Sequence, residues 1–289
     1  MSSLRSPITA YWDMGPAAPQ IIRRVCQEVL HAGILVLYMR DLSGFCLRSE
    51  TVEALELLRD AQIRKVLTLS PAVEASIAMM CRQLRVEELF LEVGSLEQLK
   101  ELEVNFQEDL SWGISFRLGG HNFAHLPEAV RFCQETGVRH LHIPIQRSGE
   151  GVFVPSEQVF RKVVQKLKSL KLGRMQLTLH EPFLWREIFS SQEYAWQGCQ
   201  AAKSMVYISE ELDVTPCPML SLSFGNLRRQ PLREILDSQE RAKVLQDLSV
   251  IPQECAGCPE AHLCRGGCKA RAQIFLGSLN RKDPICCTT

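Results

Sequence analysis

The chain has 289 residues, 46% of them hydrophobic and 23% charged, the balance of a globular protein long enough for one large domain plus a small appendage. Its 33 basic and 33 acidic residues cancel, which argues against nucleic acid or a membrane surface as a partner. The N-terminal residues lack the apolar core of a secretory signal, and no apolar run reaches the ~18–20 residues that span a bilayer, so a cytoplasmic protein is expected.

From residue 8 to residue 179 short apolar runs alternate with amphipathic stretches. Strands are expected at 8–14, 34–39, 66–69, 89–93, 114–118, 141–145 and 175–179. They are β-branched or leucine-rich and mostly do not alternate, as strands buried on both faces should not. Helices are expected between them near 18–32, 50–62, 73–84, 95–103, 125–136 and 155–170, with Ser156 as an N-cap and Gly137 closing a helix. Repeated βα units predict a parallel sheet with helices outside it. About six units in fewer than 190 residues suit a partial (β/α) barrel rather than a full eightfold one.

In such a fold the working residues stand at the carboxyl ends of the strands. Those ends carry Asp13, Arg40, Asp41, Ser70, Glu92, Arg117, Gly119, Gly120, Gln146, Arg147, His180 and Glu181. Each alone is more simply an exposed loop residue. His140 and His142 alternate with apolar residues along one strand and read as structural. His180–Glu181 is the better site candidate, because it ends a strand and leads toward the cysteine-rich region.

Twelve cysteines is a high count, and disulfides are disfavoured in a reducing compartment. Cys26, Cys46, Cys81 and Cys133 are scattered, while Cys199, Cys217, Cys255, Cys258, Cys264, Cys268, Cys286 and Cys287 crowd the last third. Cys255 to Cys268 has the spacing C-x2-C-x5-C-x3-C. A C-x2-C turn brings two soft thiolates to one centre, suited to iron–sulfur clusters or to zinc. Gly257, Gly266 and Gly267 beside them allow close backbone approach. Spacing alone leaves iron–sulfur and zinc open.

The segment from Gly198–Cys199 to Cys286 resembles the SPASM domain, the twin-cluster module of many radical S-adenosylmethionine enzymes. The match includes Asp213–Pro218, the Phe224–Leu227 turn, the helix start at Pro231–Leu236, and the glycine-bearing Cys264–Ala272. One departure is Leu212, where the family has glycine, which predicts an altered hairpin turn. The resemblance implies a small cysteine-rich domain at 191–289 after a barrel at 1–190. It also implies two iron–sulfur clusters of the [4Fe-4S] type, an outer one held by Cys255, Cys258, Cys264 and Cys286 and an inner one by Cys199, Cys217 and Cys268. Residues 200–208 supply no further cysteine, so the inner cluster is expected to have an open iron or to take a ligand from substrate, water or a partner. Cys287 is an alternative to Cys286 or a spare.

The N-terminal part resembles the radical S-adenosylmethionine barrel, but that family needs C-x3-C-x2-C after its first strand. Residues 14–26 hold one cysteine, Cys26, and residues 38–44 lack the Gly-Gly-Glu-Pro motif that grips the cofactor. S-adenosylmethionine is therefore not expected to bind or be cleaved. The combination is similar to the SPASM-domain proteins of the GeoRSP system. That resemblance implies a companion protein, not an autonomous enzyme, that relays electrons or docks a substrate in peptide or protein maturation. Its partners would be a complete radical S-adenosylmethionine/SPASM protein and a small peptide-binding protein. The alternative is an enzyme that uses an open auxiliary cluster.

Overall fold

A computed structural model describes residues 7–44, 46–72, 74, 76–102, 110–149, 151–189 and 198–286. In chain order the elements begin with β1 (Thr9–Asp13), α1 (Pro19–His31), β2 (Val36–Asp41), α2 (Ser49–Leu58), β3 (Arg64–Leu69), α3 (Ile77–Gln83), β4 (Glu88–Val93), α4 (Leu96–Lys100) and β5 (Trp112–Phe116). They continue with α5 (Leu126–Glu135), β6 (His140–Ile143), α6 (Glu157–Ser169), β7 (Gln176–Leu179) and α7 (Pro182–Phe189). The last third holds β8 (Met205–Ile208), β9 (Asp213–Thr215), β10 (Gly225–Asn226), α8 (Leu232–Leu236), α9 (Gln239–Ser249), α10 (Ala261–Cys264) and α11 (Lys269–Leu276). All seven expected strands and all six expected helices form within the described residues. The start of the helix expected at 73, the end of the one expected at 103, the boundary at 190/191, and Cys287 lie outside them.

The chain divides into two compact units, 1–93 with 102–115 and 201–243, and 94–101 with 116–200 and 244–289. In the first, the strands run β10-β9-β8-β1-β2-β3-β4-β5. The pairs from β8 to β4 are parallel, and β8-β9 and β9-β10 are antiparallel. Strand β4 is buried along its whole length, as a strand covered on both faces must be. The helices follow their apolar stripes. In α1, Pro19 opens the first turn and Ile22, Val25, Cys26 and Val29 face inward.

Strand β8 pairs in parallel with β1, Thr9 opposite Met205, so the cysteine-rich third of the chain lends a strand to the first unit's sheet. The hairpin that follows differs from expectation. Leu212 adopts φ 68°, the left-handed conformation, in place of a glycine. The turn closes normally, with Ser209 N–H donating to the Asp213 carbonyl at 2.9 Å. A left-handed leucine costs roughly 1–2 kcal/mol, and burying its side chain, 1% exposed, offsets that by about 1.5–3 kcal/mol.

Charged residues extend two strands past their apolar cores. Strand β2 runs to Asp41, not to Met39, because Arg40 and Asp41 find buried partners. Strand β3 begins at Arg64, not at Val66, because Arg64 pairs with Glu88 at 2.8 Å and Lys65 with Glu87 at 3.3 Å. In the second unit, β6 and β7 are parallel, His140 opposite Gln176. Helix α6 is capped by Ser156, which accepts from the Val159 N–H, and it buries Phe160, Val163, Val164 and Leu167. Gly137 follows α5 with φ 76°, open to it at no steric cost.

Candidate iron–sulfur site

In the second unit, five expected ligands are set by short local structures. Cys255 ends a 3-10 turn and its carbonyl accepts from the Cys258 N–H at 3.1 Å. Cys264 is the last residue of α10, after which Arg265, Gly266 and Gly267 all take positive φ. Cys286 donates its N–H to the Asp283 carbonyl at 2.9 Å. Cys268 immediately precedes α11, in extended backbone and without a side-chain capping bond.

The glycines have steric reasons. A Cβ on Gly267 would lie 2.6 Å from Asp283 Cβ and 2.9 Å from a Phe183 ring carbon, and one on Gly266 would lie 2.6 Å from Pro252 Cδ. A side chain at either would push the cysteine loop off its support. Gly198 works likewise beside Cys199, where a Cβ would sit 3.2 Å from the Cys264 carbonyl.

The thiols fall into groups by their electrostatics. Burial raises Cys255, and the thiols of Cys286 and Cys258 push the same way, against Lys269 and Lys282. Burial pushes Cys264 up to about 11, opposed by the N–H groups of Gly266 and Gly267 and by Arg186. Cys268 is pushed up to about 12 by burial, with Cys199 and Asp283 adding and Arg271 opposing. Thus Cys255, Cys258, Cys264 and Cys286 interact, and Cys268 interacts with Cys199. Cys217 belongs to the first unit, where it is buried and its carbonyl accepts from the Leu220 N–H at 3.2 Å and from Thr215 Oγ1 at 3.2 Å. Among the described residues no three His, Cys, Asp or Glu side chains converge as a single metal-ion site. The donor set suits an iron–sulfur cluster: soft thiolates, backbone N–H groups aimed at sulfur, and buried cations that favour the ionised form.

A buried ion triad braces this loop. Asp283, fully buried, accepts from Cys268 N–H at 2.7 Å, Ile285 N–H at 3.0 Å, and Arg271 Nε and Nη2 at 2.8 and 2.7 Å. Arg271 Nη2 also donates to Glu181 Oε1 at 2.8 Å, and Glu181 Oε2 accepts from Leu184 N–H at 2.6 Å. Glu181, expected at the sheet rim as a site residue, is therefore the anchor that ties the end of β7 to the cysteine loop. Arg271 and Asp283 were missed as functional residues. The signal was present in Asp283–Cys286 and in the arginine three residues after Cys268, but no local pattern pairs them with Glu181, 90 positions away.

The remaining rim residues are divided between the two units. In the first unit, Arg40 bridges Glu92, at 2.9 Å through Nε and 2.5 Å through Nη2, and Asp13 at 3.6 Å, while Tyr207 OH donates to Asp13 at 2.9 Å. These contacts tie together the ends of β1, β2, β4 and β8. Asp41 instead accepts from Ser43 and Arg48 N–H groups and from Thr51 Oγ1, fixing the start of α2. Ser70 accepts weakly from Ala72 N–H at 3.4 Å. The loop after β1 meets the β8 turn, where a Cβ on Gly15 would lie 2.7 Å from Glu210 Cβ. Cys26 lies within α1, buried.

In the second unit Asn122 organises Gly119 and Arg117, accepting from Gly119 N–H at 2.8 Å and donating to the Arg117 and Gly94 carbonyls. Gly120 packs near Phe153. Gln146 donates to the Leu118 carbonyl at 3.5 Å, and Arg147 acts electrostatically on His142. His140 meets Thr178 Oγ1 at 2.8 Å, a structural contact. The rings of His142 and His180 meet edge to face at 5.1 Å. Burial holds His180 down at about 4 and His142 well below the ordinary histidine range. His180 therefore shares the buried, neutral character of His142.

Residues 199–259 match the SPASM family, an iron–sulfur cluster-binding domain. That span includes Cys199, Cys217, Cys255 and Cys258. The chain is 32% identical over 90 residues to an AdoMet-dependent heme synthase of Methanosarcina barkeri, covering 31% of this chain and 26% of that protein. It is 26% identical over 178 residues to a PqqA peptide cyclase of Xanthomonas campestris, covering 57% of this chain and 46% of the cyclase. The matched stretches thus span less than half the length of these relatives. In fold the chain is similar to SuiB of Streptococcus suis bound to S-adenosylmethionine, with TM-score 0.70 at 14% identity over 99% of this chain and 76% of that one. The mixed α/β sheet is thus the one expected from the radical S-adenosylmethionine barrel. Among the described residues no helix is long and apolar enough to cross a membrane.

Proposed function

On the premise that residues 199–259 are a SPASM iron–sulfur cluster-binding domain, on a chain folded like the radical S-adenosylmethionine enzymes, we propose that this protein is a cluster-bearing companion in a peptide or protein maturation system. Cys255, Cys258, Cys264 and Cys286 would hold one [4Fe-4S] cluster, and Cys199, Cys217 and Cys268 a second. When bound, such clusters supply one-electron transfer at low potential. The protein's own residues orient the thiolates, close the loop over them through Asp283 and Arg271, and supply N–H groups and cations to their sulfurs.

The observation that carries the companion reading is the contrast between that module and the loop after β1. Residues 14–18 contain no cysteine, and Cys26 is buried in α1. Without three convergent thiolates there, no iron is left open to bind the methionyl end of the cofactor. The chain would work with a complete radical S-adenosylmethionine/SPASM protein and a small peptide-binding protein, as in the GeoRSP arrangement. A peptide cyclase among the relatives is consistent with a peptide substrate for the system.

Anaerobically purified protein should contain iron and acid-labile sulfide for two clusters, with thiolate-to-iron charge-transfer absorption. Stoichiometric zinc without sulfide would end this reading. Reduced with dithionite and given S-adenosylmethionine, the loaded protein should form no 5′-deoxyadenosine, while a true radical enzyme assayed alongside does. Multiple turnovers by this chain alone would favour the second reading, an enzyme in its own right. That alternative draws on the lack of a fourth cysteine at 200–208, which leaves an iron of the inner cluster open to substrate.

A further inference from the structure

We infer that Lys269 is a fixed, buried cation shared by the two thiolate groups, placed to stabilise the negative charge that either cluster gains on reduction. This rests on the iron–sulfur reading above. The Lys269 side chain is fully buried. Its Nζ donates to the Val250 carbonyl at 2.6 Å, and it lies 3.4 Å from where a Cβ on Gly266 would stand. The ammonium is therefore held against the Cys264–Cys268 loop itself. Burial, with Arg265 adding to it, pushes the ammonium below the usual lysine range, and the thiols of Cys199, Cys255 and Cys264 act against that. Cys255 and Cys264 belong to the outer set and Cys199 to the inner, so one charge acts on both.

Lys65, the other fully buried lysine, shows what this position lacks. The Lys65 ammonium meets the Glu87 carboxylate at 3.3 Å. Among the described residues Lys269 pairs with no carboxylate. A desolvated ammonium without a counter-ion is strongly disfavoured, and the groups that act to keep it charged are cysteine thiols. The position is therefore balanced when those sulfurs are thiolates. When a low-potential one-electron donor reduces a cluster, one electron is added, no bond breaks, and the net charge falls by one. A nearby positive charge in a low-dielectric interior lowers the energy of that product more than that of the oxidised cluster. Lys269 thus raises the midpoint potentials, and its removal lowers them.

The test is an EPR-monitored redox titration, with dithionite as reductant, of the full chain after anaerobic reconstitution. Wild type is compared with Lys269→Met and Lys269→Gln, which remove the charge, and Lys269→Arg, which keeps it. The neutral variants should load wild-type iron and sulfide and show midpoint potentials shifted to more negative values, with Lys269→Arg close to wild type. Should both neutral variants lose iron while Lys269→Arg retains it, the charge is needed for loading, which also supports the inference. Full loading of a neutral variant with unchanged potentials would overturn it, as would Lys269→Arg behaving like the neutral variants. Absence of iron and sulfide from the wild type would instead be a failure of the iron–sulfur reading.

Discussion

Cys81 and Cys133 sit on helices α3 and α5 among apolar side chains, and burial alone pushes each thiol up to about 12. Cys264 is also pushed up, to about 11, but against the N–H groups of Gly266 and Gly267 and the guanidinium of Arg186. Cys268 faces Arg271 in the same way, and Cys255 faces Lys269 and Lys282. Burial by itself therefore does not separate the two sets. What separates them is whether the surroundings have anything to offer a thiolate. Around Cys81 and Cys133 ionisation would be a pure loss, so these are core side chains. Around the C-terminal set the donors and cations are already in position, and a bound iron would supply the rest of the stabilisation.

The sharpest break of that comparison is a ligand against a non-ligand. On the proposed assignment Cys258→Ala should remove one cluster, roughly halving iron and sulfide and destabilising the loop, since metal binding contributes folding free energy. Cys46→Ala, on an exposed loop residue, should leave iron content unchanged and stability within about 0.5 kcal/mol. Equal metal content in the two variants would contradict the assignment.

The brace comes next in size. Arg271→Leu strands the buried carboxylates of Glu181 and Asp283, and should cost about 3–5 kcal/mol in denaturant unfolding, with cluster loading impaired. Adding Glu181→Gln and Asp283→Asn to it should recover part of that loss. No recovery would mean that the arginine acts through packing instead of charge.

His180 carries the pure-burial environment of Cys81 over to a histidine. Its folded pKa, about 4, lies below the unfolded value of about 6.5. The unfolded chain therefore takes up a proton first as pH falls, and stability is lost between pH 6.5 and 4. At about 1.36 kcal/mol per pH unit the unfolding free energy should drop by about 2 kcal/mol from pH 7 to pH 5. His142, depressed in the same direction, adds to the slope. His180→Phe should flatten it, and an unchanged slope would show that other groups govern the acid limb. The smallest effect is expected at an exposed helix cap. Ser156→Ala removes the N-cap of α6 and should cost about 1 kcal/mol, with no change in iron content.

The sequence by itself determined the local features of this protein. Apolar runs separated by amphipathic stretches located β1 to β7 and α1 to α6 to within a few residues, because burial on both faces and a 3.6-residue stripe are written in consecutive side chains. The C-x2-C-x5-C-x3-C spacing with its glycines marked the thiolate loop for the same reason, since its ligands and its turns are neighbours in the chain. Tertiary structure decided what depends on distant partners. Strands β2 and β3 run on through Arg40–Asp41 and Arg64–Lys65 because acids from other elements neutralise them. Leu212 keeps its hairpin at positive φ because the unit's interior takes up its side chain. Glu181 moved from rim to brace because Arg271 reaches it across 90 positions. Lys269, an unremarked residue after a cysteine, became the buried cation of the thiolate loop. A charge is legible from its position in the chain, but whether it faces water, an acid or a sulfur is settled by the three-dimensional packing that desolvates it.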